Sequence, residues 1–445
     1  MRRAVCAAAA VLAACGDGIV VEPVDEAVSG ARLMVEWVFY GDGSRQPAPQ
    51  AFYDTELHAR CQPGTWVDGT RRCIPVADPA IYTRPDCTVP IGVGLTNQHP
   101  DLFIGYEIEF GVARPKRIYR ALAPVAQPEA AYQLSDGECF GVGATPPGIP
   151  YFALAPGFDG NRMAVIDERD DGADGERLAQ VVVESSDGLR VPIGFRDREA
   201  GALCEPEQRA SGTVCAPRAA PSDIYLDPSC REPGIALFDG PQPSVVSHPG
   251  PDGCRLDYRV GPVVEGAFYR RNGAVCELVP FDGFVRGYRL GAPVEPIRLE
   301  REVDDATGRR LQRVTLASGS VRARSDRMFD TATRDECRPV AFGDVLRCLP
   351  ARAAHATYLL GPGCGVSVLV AEMRAPACAP VAFAMSSADG FPEIRAIGDP
   401  AGPLFDAFGA AGCVPHVPPA DHVVYDLGPP IPPETFTGGR IAGER

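Results

Sequence analysis

The chain has 445 residues, of which 45% are hydrophobic and 8% aromatic, and its formal charge is −15. That balance disfavours nucleic acid and anionic lipid headgroups as partners, because both are recognised by basic surfaces. Its 48 glycines and 45 prolines leave few windows long enough for a helix of three turns, so the composition predicts an all-β protein of short strands.

In chain order, Arg2 and Arg3 precede an apolar run from Ala4 to Ala14, closed by Leu12-Ala13-Ala14-Cys15. A run this short does not span a bilayer and reads as a signal peptide, residues 1–14. Its last four residues resemble the lipobox of bacterial lipoproteins, a resemblance that implies cleavage before Cys15 and lipid on its thiol. With Gly16 next in place of aspartate, it also implies sorting to the outer membrane, on the periplasmic face or the cell surface. An ordinary secretory signal cut at a nearby small residue is the alternative. Cleavage would remove two arginines and move the formal charge to −17. No later stretch approaches about 18 uninterrupted apolar residues, so the expected membrane contact is the N-terminal lipid alone, carried on a tether over 15–31.

Beyond the tether, one pattern occurs three times. Asp54, Asp197 and Asp330 each stand seven residues before Cys61, Cys204 and Cys337. Cys73, Cys215 and Cys348 follow, each opening a Cys-x-Pro triplet that closes at Pro75, Pro217 or Pro350. Tyr82, Tyr225 and Tyr358 then precede Cys87, Cys230 and Cys364 by five, five and six residues. Repetition at this length means duplicated domain-sized units. The units are 32–156, 177–293 and 310–432, joined by an acidic linker (157–176) and a charged linker (294–309) and followed by a tail over 433–445.

Each unit opens with Arg-Leu (Arg32-Leu33, Arg177-Leu178, Arg310-Leu311) at the head of a run rich in valine and leucine, which reads as a strand. The first two cysteines flank a turn such as Asp68-Gly69, so a hairpin sets them opposite each other and favours pairing first with second; four cysteines per unit still allow three connectivities. The second halves repeat Tyr119-Arg120, Tyr258-Arg259 and Ile394-Arg395, then Cys139, Cys276 and Cys413. Strands at spacings near ten residues indicate an all-β architecture. The units either pair blades into a six-bladed β-propeller or fold as three consecutive small disulfide-braced domains.

Of sixteen cysteines, Cys6 leaves with the signal and Cys15 carries the lipid, which leaves an even set that reads as disulfides in an exported chain. Cys254 and Cys378 lie outside the shared positions and are candidates for a bridge between the second and third units. Zinc is disfavoured because no Cys-x-x-Cys occurs.

Residues present in every copy point to structure, since an active site is one asymmetric constellation. Asp54, Asp197 and Asp330 read as Asx turns or strand-end caps, and Tyr82, Tyr225 and Tyr358 as core residues with bonded hydroxyls. Asp170, Asp171 and Asp174 are weak calcium candidates; read as an EF-hand from Asp170, the stretch puts Val181 where a bidentate glutamate belongs. The six histidines recur at no common position, and neither His-Glu-x-x-His nor Gly-x-Ser-x-Gly occurs. No catalytic residue, metal site or cofactor is assigned. The lipobox, the Asp-x6-Cys, Cys-x-Pro and Tyr-x4-Cys steps, and basic residues that are arginine except for Lys116, together resemble uncharacterised cysteine-rich exported lipoproteins of high-GC Gram-negative bacteria, a family of unknown function. The resemblance brings no activity with it. The expected function is a non-enzymatic envelope or surface scaffold binding a glycan or an envelope protein. The alternatives are a secreted carboxylate-based hydrolase such as a glycosidase, with a central cleft, and a structural envelope component.

Overall fold

The computed structural model describes residues 27–443 except 95–100, 110–111, 136, 146–147, 174, 210, 239–241, 251–253, 273–274, 281–284, 306–307, 343–344, 375–380, 389–390, 409–411, 417 and 419–421. The signal segment, Cys15, Asp174 and Cys378 therefore lie outside the described residues. The protein is all-β: among the described residues five sheets hold ten, seven, six, eight and seven strands, with only short 3-10 turns between them.

Each unit begins with a four-stranded antiparallel meander. The first comprises Leu33–Tyr40, Arg45–Asp54, Ala59–Thr65 and Arg71–Pro75. The second comprises Leu178–Ser185, Arg190–Asp197, Ala202–Arg209 and Gly212–Pro217. The third comprises Leu311–Ser318, Val321–Asp330, Asp335–Phe342 and Val345–Pro350. Their registers correspond, with Leu33 opposite Asp54, Leu178 opposite Asp197 and Leu311 opposite Asp330. The tips of the opening hairpins carry Gly43, Gly188 and Gly319 at φ of 82°, 101° and 61°, a region that residues with a Cβ seldom enter.

The segments between meanders are strands too, and they change partners midway. Cys73 donates to the Ala164 carbonyl and Arg72 bridges Val165, after which Ile166–Asp171 pairs with the opening strand of the second meander. Ile297–Arg298 pairs with the last strand of the second meander, and Glu300–Val303 with the first strand of the third. Gly438–Gly443 pairs with Val345–Pro350 and then with Leu33–Tyr40, so the C-terminal strand joins the third meander to the first. The three meanders thus form a closed ring in which each open strand edge is covered by a connecting strand.

Three apolar clusters lie at the three junctions. Val35, Trp37 and Phe52 meet Ile166, Val183 and Leu189; Leu178 and Phe195 meet Val314, Leu316 and Val321; Leu311 and Met328 meet Val38, Tyr40 and Ala48. Hairpin tips reach across the same junctions. Asp187 Oδ2 accepts the N–H groups of Arg32 (2.6 Å) and Leu33 (2.8 Å), and Asp42 Oδ2 accepts that of Leu311 (2.7 Å). At the third junction the polarity is reversed, with Ser320 donating its N–H to Glu176 Oε1 at 3.1 Å and its hydroxyl to Oε2 at 2.7 Å.

Outside the ring, each unit folds its second half into a further sheet of seven or eight strands. This pairing departs from six four-stranded blades, and shared strands between units depart from three independent domains. Backbone hydrogen bonding explains both departures: meander edges left unpaired would attract other chains, and the connecting strands satisfy them within one molecule.

Six disulfides join described residues. Cys61–Cys73, Cys204–Cys215 and Cys337–Cys348 lie in the meanders, and Cys87–Cys139, Cys230–Cys276 and Cys364–Cys413 tie the outer sheets. The meander cysteines are not directly opposed. Cys61 faces Pro75 and Cys73 faces Pro63, so the bridge runs diagonally with 5.2 Å between Cα atoms, a closeness that strand twist permits. Cys254 is disulfide-bonded as well, to a partner outside the described residues. Such a set belongs to an oxidising compartment, and no helix among the described residues is long and apolar enough to cross a membrane.

Candidate functional site

The thrice-repeated aspartates are fully buried, each at 0% exposure. Each binds the arginine of the unit's opening Arg-Leu pair through both oxygens, at 3.0 and 2.7 Å for Arg32 with Asp54, 3.0 and 2.6 Å for Arg177 with Asp197, and 2.8 and 2.7 Å for Arg310 with Asp330. Oδ1 also accepts backbone N–H groups from the following turn, at Glu56 and Leu57, Glu199 and Ala200, and Ala332. The same guanidinium donates to a carbonyl of the connecting segment, at Arg162, Glu295 or Thr435. Hydrogen bonding to the carboxylate holds each arginine above its ordinary value. These clasps lock a meander to its connecting strand. Arg32, Arg177 and Arg310 are the partners that a reading of the aspartates alone misses, although the recurring Arg-Leu pair signals them.

The repeated tyrosines diverge. Tyr225 is buried, edge-on to His248 at 5.0 Å and beneath the Arg271 guanidinium, and Tyr82 is half-buried, whereas Tyr358 is 67% exposed and not a core residue. The third copy has one residue more between tyrosine and cysteine, and a one-residue shift along a strand turns a side chain to the other face.

Of the acidic stretch, Asp170 accepts from Arg196 (2.8 Å) and Arg198 (3.4 Å), and Asp171 pairs with Arg190. Among the described residues no three His, Cys, Asp or Glu side chains are placed to hold a metal ion.

The copies differ in the groove between meander and outer sheet. Five residues beyond the first cysteine stand Trp66, Arg209 and Phe342; one beyond the second stand Ile74, Ala216 and Leu349. In the first unit Trp66 is 3% exposed and packs with Ile74, Ile104, Ile118 and Met163. A cleft of about 380 Å³ lies on its flank, lined by Thr65, Ile104 and Tyr106 among others. In the second unit the paired Ile104 and Ile118 are replaced by the paired Ser247 and Asp257. There the groove opens to about 450 Å³, lined by Glu207, Arg209, Arg255 and Asp257 and, from the third unit, Met373 and Val381. Arg209 Nη2 bonds both Glu207 (3.2 Å) and Asp257 (3.3 Å), and Arg255 donates to the Ser247 carbonyl at 2.9 Å. Asp257 is 6% exposed, and burial pushes its carboxyl above the ordinary range against the pull of Arg209. In the third unit the corresponding pair is Ser386 and Glu393, and the groove is a cleft of about 350 Å³ walled by Glu393 and by Phe342, Leu349, Ile394, Phe436 and prolines including Pro433.

A carboxyl raised on folding favours stability below its ordinary value of 3.8, and that contribution falls away as pH rises through the higher folded value. Asp257→Asn should therefore gain stability relative to the parent as pH rises above 3.8, read by urea unfolding at a series of pH values. A parallel pH dependence in both proteins would contradict it.

One histidine cluster also belongs to a single copy. His416 Nδ1 lies 3.1 Å from Asp406 and its Nε2 3.1 Å from Glu372 Oε2, while His422 Nδ1 lies 2.9 Å from Glu372 Oε1. Carboxyl oxygens thus face both ring nitrogens of His416. The sheet pairing of Arg374 with His422 assembles this chain from residues up to 50 apart, which no local motif could signal. Glu372→Gln should cost about 1–3 kcal/mol in denaturant unfolding, because a neutral amide replaces the carboxylate that both imidazoles share; an unchanged midpoint would show the cluster to be idle.

No curated protein and no solved structure matches the chain. Its residues 9–436, which include every clasp and all three grooves, match the Family of unknown function (DUF7481), to which the chain therefore belongs.

Proposed function

We propose that the protein is a lipid-anchored, disulfide-braced envelope protein that binds a polar ligand of the cell envelope, a glycan or another envelope protein, in the groove between the second and third units. The observation that carries this reading is that Arg209 and Ala216 stand where the other copies have Trp66 and Ile74 or Phe342 and Leu349, which opens a groove lined by Glu207, Arg209, Arg255 and Asp257. Ligand sites are concave, with a few placed polar groups. The test is co-sedimentation of the mature protein with purified envelope fragments. Saturable binding should be weakened by Arg255→Met, whose circular dichroism should match the parent; absent or unaltered binding would overturn the reading. Anchoring through Cys15 is tested separately, since Cys15→Ala should release the protein from the membrane fraction.

A second reading, a carboxylate-based hydrolase, draws support from Asp257, whose raised carboxyl suits a proton donor, beside the second carboxylate of Glu207. Release of reducing ends from envelope glycans, lost in Asp257→Asn, would favour it; glycans left intact would remove it.

A further inference from the structure

Resting on that site, the structure assigns a ligand class to the groove: we infer that it takes a neutral saccharide unit. Part of the lining is polar, with the guanidinium groups of Arg209 and Arg255 and the carboxylates of Glu207 and Asp257 within one groove, beside Ser247. Two positive and two negative groups balance, and Arg209 already bridges both carboxylates. A ligand with net charge would therefore meet as much repulsion as attraction, whereas paired hydroxyls can donate to the carboxylates and accept from the guanidinium groups without breaking that balance.

The rest of the lining is apolar, formed by Ala216, Pro217, Ala219 and Pro221 of the second unit and by Met373 and Val381 of the third, and it lies beside the polar groups, with Pro221 paired to Ser247. A pyranose ring has the same mixture, with C–H faces that cover apolar surface and a rim of hydroxyls. The room comes from Ala216, which stands where the first unit has Ile74, a core residue beside Trp66. A groove of about 450 Å³ falls within the usual size for small ligands, roughly 300–1,000 Å³.

The test uses saturation-transfer NMR on the mature protein with the neutral disaccharides diacetylchitobiose, cellobiose and maltose as probes, and the charged monosaccharides glucosamine and glucuronate as controls. At least one neutral probe should bind saturably and compete poorly with the charged controls. Ala216→Ile, which restores the first unit's residue and fills the groove, should weaken binding by about tenfold or more. Ser247→Ala, a smaller change on the polar wall, provides a second variant should Ala216→Ile fold poorly, and should weaken binding several-fold. No saturable neutral probe, tighter binding of a charged control, or affinity unchanged in both variants would overturn the inference. If disaccharides fail while envelope fragments still bind in an Arg255-dependent way, the ligand class falls and the binding site stands.

Discussion

Arg177→Met should lower the unfolding free energy by about 3–5 kcal/mol, and Arg32→Met and Arg310→Met by similar amounts. In each case the change leaves a carboxylate at 0% exposure without its guanidinium. Backbone N–H groups of the next turn still reach Oδ1, but they do not replace a charge held through both oxygens. The same substitution removes the bond to the connecting segment at Glu295, so one change loosens both the meander and the strand that joins it to the third unit. Asp197→Asn should cost less, because the amide oxygen can keep the backbone hydrogen bonds and no charge is stranded. Urea unfolding of the four variants checks the order. A cost below about 1 kcal/mol for Arg177→Met would place the clasp among ordinary surface ion pairs and contradict a buried role.

Replacing Cys87 and Cys139 together by serine should cost about 4 kcal/mol, since the bond closes 52 residues of chain and loop-closure entropy grows slowly with length. The bonds Cys230–Cys276 and Cys364–Cys413, closing 46 and 49 residues, should behave alike. The meander bonds close only 11 or 12 residues and contribute about 3 kcal/mol through closure. They are also buried in the junction clusters, so their loss adds a packing cost. Denaturant midpoints for the double-serine variants test this. A Cys87/Cys139 variant as stable as the parent would mean that strand pairing alone holds the hairpin carrying Cys139.

What could be read from the sequence was local. Glycine, proline and alternating valines announce short strands, and the spacing of Asp54, Cys61 and Cys73 recurs because each meander needs the same turn and the same staple. A closed ring was one of the two arrangements expected, but the strand that closes it, placed in the tail, was not legible, because Gly438–Gly443 finds its partner about 400 residues away and only the fold brings it to Leu33–Tyr40. The clasp was half legible, as the aspartates and the arginines both recurred but nothing local joined one to the other. Tyr358 misled because one added residue reverses the face of a strand while leaving the motif recognisable. The groove lay in plain view at Trp66, Arg209 and Phe342, yet these become informative only when the register shows that they face equivalent spaces. A search for catalytic motifs passes over such a site, since its chemistry arises from exchange within a repeat.

Three units form one closed ring, each completed by strands from its neighbours, and calorimetric unfolding of the protein is the decisive measurement. The ring predicts a single cooperative transition whose calorimetric and van't Hoff enthalpies agree. Three separable transitions, each with the enthalpy of one unit, would contradict it.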